Sequence, residues 1–116
     1  MTQIQLALSN DRTADELQRL LARSTDATVR KAESWPPCRD ECCVLVVDSG
    51  TLGRLPQPLP HPERVVLIAR DEPDLIKSAW DSGINSVVFD RDPLSTVVLA
   101  ILSACLRLPR PQATRG

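Results

Sequence analysis

The sequence predicts an α/β fold: one five-stranded parallel sheet with helices packed on its faces. Three observations carry this. Two continuous apolar runs, Cys42–Val47 and Val65–Ala69, are long enough for strands and lack the alternation of a half-solvated sheet, so they read as strands covered on both faces. Strand-like and helix-like segments alternate along the chain, the pattern of parallel strands joined by right-handed crossovers. The chain has 116 residues, enough for one core with little to spare.

Taken in order, Ile4–Ser9 is a short apolar strand. Thr13 opens a helix, because Thr13-Ala-Asp-Glu16 has the spacing of a capping box, and Ala14, Leu17, Leu20 and Leu21 recur at helical spacing. Residues 27–34, "ATVRKAES", alternate like an edge strand. "CCVLVVD" follows, then "RVVLIA" from Arg64 to Ala69. Pro73 suits the first turn of a helix running to about Ser82, and Gly83 suits its stop. "INSVVFD" is the fifth strand, and Asp92-Pro93 caps a last helix from Leu94 to Leu108, ended by Pro109.

Two crossovers are too poor for full helices. "WPPCRDE" holds about seven residues, where parallel strands usually need a dozen or more. The stretch after Asp48 carries Pro56, Pro58, Pro60 and Pro62, and prolines at that density forbid a helix. The second and third helices are therefore expected to be short or missing. Leu52, Leu55, Leu59 and Trp35 are expected to pack in their place.

Composition narrows the function. The formal net charge is −1 with both signs interspersed, which lacks the basic face a nucleic-acid binder needs. No apolar run reaches the roughly 18 residues of a membrane span, and the start has no secretory pattern, so the expectation is a cytoplasmic protein with reduced thiols. Cys38, Cys42 and Cys43 do not have the paired C-x2-C spacing of structural zinc, and neither they nor Cys105 suggest more than core or half-buried cysteines. His61, between Pro60 and Pro62, reads as a surface loop residue.

The segment "RVVLIARDEPDLIKSAWDSGINSVVFDRDPLSTVVLAILSACL" resembles the last third of a response-regulator receiver domain: a fourth strand, a helix ending at an Ala-x-x-Gly frame, a fifth strand and a final amphipathic helix. The resemblance implies a flavodoxin-like three-layer sandwich over residues 1–108, with 109–116 as a tail or the start of a linker. It also implies a phosphoryl acceptor at the end of the third strand, where Asp48 stands. The other positions of that chemistry have changed. Ser9 and Asn10, with Asp11 one step later, stand where the family holds an acidic pair for Mg²⁺. Ala69 stands at the hydroxyl position, and Asp90, followed by Arg91, at the lysine position. Phosphoryl transfer needs cations and donors to neutralise developing charge, and a carboxylate in place of the lysine does the reverse.

The expectation is therefore a degenerate receiver in two-component-type signalling, without enzymatic activity or cofactor, whose partners are proteins. The last helix points to a homodimer: its core stripe includes Val97, Val98 and Ile101, while its far side offers Leu99 and Leu106 instead of charge. Trp80 is a second anchor candidate. An output domain or docking protein is the other partner class. Two alternatives stand: a working receiver that uses Asp48 with Asp11 and Mg²⁺, helped by Arg70 or Arg91, and a small thiol or metal protein using Cys38, Cys42 and Cys43.

Overall fold

The structure, a computed structural model, describes residues 3–31, 43–54, 61–84 and 86–106. Five strands, β1 (Gln3–Ala7), β2 (Thr28–Lys31), β3 (Cys43–Asp48), β4 (Val65–Ala69) and β5 (Ser86–Phe89), form one sheet in the order β2-β1-β3-β4-β5. Every neighbouring pair is parallel. This is the doubly wound order in which the strand sequence reverses between β1 and β3, and ligands in such sheets sit beyond the carboxyl ends at that point. The expected α/β, flavodoxin-like parallel architecture is the one observed.

Helices α1 (Asp11–Ser24) and α4 (Leu94–Cys105) cover one face. There Ala14, Leu17 and Leu21 of α1 and Val97, Val98 and Ile101 of α4 pack on Ile4, Leu6, Val44, Val46, Val66 and Ile68. Among the described residues, the other face carries a single-turn helix α2 (Ser49–Leu52) and helix α3 (Pro73–Asp81). Its core joins Leu45, Val47, Val65 and Leu67 to Leu52, Ala79 and Ile84. The strand period of two thus sends Val44 and Val46 to the two-helix face and Leu45 and Val47 to the depleted one. Both sets are buried, and Val47 and Leu67 are fully so.

Among the described residues, the crossover from β3 to β4 carries α2 and a single 3-10 turn at Pro62–Arg64. Leu52 packs on the depleted face as expected. Trp35, Leu55 and Leu59, the shortened crossover at 32–42 and the proposed boundary at residues 108 and 109 lie outside the described residues.

Three local expectations are corrected. Helix α1 begins at Asp11 instead of Thr13, because Asn10 is the cap: its Oδ1 accepts the Thr13 N–H at 3.2 Å. Asp92 does not cap α4. It turns back and accepts the Phe89 N–H at 2.8 Å, closing the turn after β5. Cys43, expected as a thiol, is disulfide-bonded, while Cys105 is free, its thiol pushed up in pKa by burial.

The Gly83 stop is realised as expected. Gly83 has φ +91°, its N–H bonds Trp80 O at 3.0 Å, and the Ile84 N–H bonds Ala79 O at 3.1 Å. These are the paired bonds of a Schellman end, with buried Ile84 as its apolar lock. A side chain at 83 would also strike Pro62, whose Cγ is 2.9 Å from the position of an added Cβ. The 3-10 turn is thereby held against the end of α3.

If the depleted face is packed as tightly as the other, Leu67→Ala should cost as much as Leu17→Ala, about 2–5 kcal/mol each. Urea unfolding of both variants measures this. A cost below about 1 kcal/mol for Leu67→Ala alone would mean that the face is loosely filled.

Candidate functional site

The carboxyl ends of β1, β3, β4 and β5 surround a pocket of about 210 Å³. Leu8, Ile68, Leu94 and Val97 make its apolar floor, and Ser9, Asn10, Asp48, Arg70, Asp90 and Asp92 supply polar walls. The site therefore gathers Asp48, Ser9, Asn10 and Asp90 from the sequence candidates. Asp11 falls outside it: the first turn of α1 carries this residue to a separate cavity of about 180 Å³ beside Lys31 and Arg54. Ala69 is fully buried in the core of the opposite face, leaving Ile68 and Arg70 to line the pocket.

Asp48 ends β3 and caps α2, and its carboxylate is engaged on both oxygens. Oδ2 accepts from the Ser9 N–H and the Ser9 hydroxyl, each at 2.7 Å. Oδ1 accepts from the N–H groups of Gly50 at 3.0 Å and Thr51 at 3.1 Å. Thr51 reciprocates, its Oγ1 accepting the Asp48 N–H at 3.1 Å while its hydroxyl donates to Ala7 O at 2.6 Å. The result is a capping box stitched to the end of β1. Gly50 sits close to this network: an added Cβ would lie 3.0 Å from Ser9 Oγ, which would have to shift to make room.

Sequence reasoning missed Thr51. The signal was present: Asp48-x-x-Thr51 has the spacing of reciprocal side-chain capping. Its pairing with Ala7, 44 residues away, had no local signature. Ser49 was missed as well; its Oγ accepts the Arg70 N–H at 3.1 Å and ties β3 to β4 above the sheet.

The two arginines separate. Arg91 is committed outward, 3.1 Å from Asp71 and stacked on the Phe89 ring with its guanidinium carbon 5.3 Å from the centroid. Arg70 lines the pocket, and its side chain has no ion pair or hydrogen bond among the described residues. Three carboxylates thus share the pocket with one guanidinium. No group of three or more His, Cys, Asp or Glu side chains is arranged to hold a metal ion among the described residues. His61 is exposed, with Glu63 3.9 Å away.

Away from the pocket, the exposed large apolar residues among those described are Trp80 at 51 %, Leu99 at 66 % and Leu106 at 78 %. From Leu94 to Leu106 there is no charged residue, and Ser95, Leu99, Ser103 and Leu106 all face solvent. No helix among the described residues is long and apolar enough to cross a membrane. The chain matches no protein-family model and no curated protein.

The geometry makes Asp48 a structural fastener, so Asp48→Ala should destabilise the fold by about 1–2 kcal/mol, the cost of a lost cap. Asp48→Asn, which keeps an acceptor at Oδ1, should cost less. Urea unfolding at neutral pH checks this. A gain in stability, as follows when a strained functional acid is removed, would contradict the assignment.

Proposed function

We propose that this chain is a non-catalytic, receiver-like module of two-component-type signalling that acts by binding protein, including a second copy of itself, and not by phosphoryl transfer. The observation that carries the reading is the state of Asp48. Four donors from within the fold occupy its two oxygens. A carboxylate oxygen attacking phosphorus must give up such bonds, and charge developing on the phosphoryl group must be met by cations. Here the neighbouring side chains at the rim include Asp90 and Asp92. Like charges gathered in one pocket oppose the reaction.

The binding half of the proposal draws on α4. A helix that exposes leucine on an uncharged face is suited to cover by another apolar surface. Fully burying one leucine side chain contributes roughly 1.5–3 kcal/mol. Leu99 and Leu106 on two subunits supply four such side chains to a symmetric contact. One observation favours the rival reading of a working acceptor, namely the uncommitted Arg70 guanidinium in the pocket. It lends a cation to the site without releasing Asp48 from its donors.

Two measurements test the two halves. Incubation with acetyl phosphate and Mg²⁺, followed by intact-mass analysis, should add no phosphoryl group; a stoichiometric gain that disappears in Asp48→Ala would refute the non-catalytic reading. In sedimentation analysis at tens of micromolar the wild type should be a dimer, and Leu99→Glu combined with Leu106→Glu should give a folded monomer. A monomeric wild type would refute self-association through α4.

A further inference from the structure

The polar groups around the pocket divide by whether the fold already uses them. Asp48 is consumed on both oxygens, Asn10 Oδ1 is taken by α1, and Asp92 Oδ2 by Phe89. Two charged side chains remain without any such bond: the Arg70 guanidinium and the Asp90 carboxylate have no ion pair or hydrogen bond among the described residues. They are close neighbours by topology. Ala69 and Phe89 are register partners, and the Asp90 N–H donates to Ala69 O at 2.9 Å, so each residue leaves its strand one step beyond a paired position. A cation and an anion thus stand at one mouth without neutralising each other. Below them lies the apolar floor of Leu8, Ile68, Leu94 and Val97.

We propose that this pocket binds a small zwitterion with a short apolar side chain, an α-amino acid of about valine's size. Its carboxylate would meet the Arg70 guanidinium, whose planar fork matches two oxygens at once. Its ammonium would meet Asp90, and its side chain would cover the floor. The volume of about 210 Å³ is the share of about seven waters at ~30 Å³ each. Other ligand classes fit less well. A simple anion leaves the Asp90 carboxylate unpaired beside it, a divalent metal ion finds no cluster of three ligands among the described residues, and a simple amine leaves Arg70 unpaired beside it. The inference goes beyond the proposed docking function and does not depend on it.

The test is a ¹⁵N-correlation NMR titration of the whole chain with L-valine, isobutylamine and isovalerate, the last two carrying only one of the two charges. The expected result is saturable shifts with L-valine at the amides of Asn10, Ser49, Arg70 and Asp90, with a dissociation constant on the order of millimolar for a ligand this small at a solvent-open site. Isobutylamine and isovalerate should bind at least about tenfold more weakly, the loss of one charged contact. Arg70→Gln and Asp90→Asn replace exposed side chains, and the dispersion of their spectra reports folding directly; each should weaken L-valine at least about fivefold. The proposal is overturned if L-valine gives no saturable shift, if isobutylamine or isovalerate binds as tightly as L-valine, or if neither substitution changes L-valine affinity. Phosphorylation of Asp48 would leave these outcomes unaltered in meaning, since the unphosphorylated protein is titrated.

Discussion

A strand that is apolar on both faces cannot be left open on either, and β3 imposes this demand on the whole molecule. From Cys43 to Val47 every residue is buried. Val44 and Val46 are covered by α1 and α4, the two substantial helices of one face. Leu45 and Val47 are buried as well, although among the described residues the helices of their face are α3 and a single turn of α2. Burying an aliphatic side chain is worth a few kcal/mol, and a domain this small has few to forgo. Small elements therefore do the covering: Leu52 reaches in from α2, and the Gly83 turn sets Ile84 beneath the sheet and Pro62 against its own backbone.

The carboxyl end of the same strand carries the polar counterpart of that demand. Once β3 leaves the sheet its first free N–H groups need acceptors, and the β1 end needs a partner. Asp48 and Thr51 meet both needs, joining Ser9 and Ala7 across the β1–β3 boundary. Both oxygens of that carboxylate accept hydrogen bonds from within the fold. The position at which parallel α/β sheets usually put chemistry is here hydrogen-bonded into the frame, and the charged side chains of the pocket without a hydrogen bond or ion pair among the described residues are Arg70 and Asp90.

Arg91 and Asp71 add a second tie at that end, on the surface. Their ion pair links the loop after β4 to the loop after β5, with the Phe89 ring beneath the guanidinium. Both partners are largely exposed, so the pair contributes little to stability. Its effect is to hold Arg91 outward and leave Arg70 as the guanidinium of the pocket. On the far edge, Lys31 and Asp15 join β2 to α1, each shifting the other's titration in favour of its charged form.

What the sequence by itself determined is what depends on neighbours along the chain. Runs of β-branched residues mark β3 and β4, Pro73 and Gly83 bound α3, and the missing charge between Leu94 and Leu106 marks the exposed leucines of α4, because each property is carried by spacing within one element. Even there, caps escaped. Asn10 and Thr13 both have side chains fit to start a helix, and in the fold it is Asn10 whose Oδ1 accepts the Thr13 N–H. Tertiary structure alone decided that Ser9 and Asp48, 39 residues apart, share two hydrogen bonds, that Asp11 turns away from them, and that Cys43 has a disulfide partner. Such pairings arise when strand order and register bring distant residues to the same end of a sheet. No local periodicity encodes that meeting, because the energy that selects it comes from the burial of both faces at once.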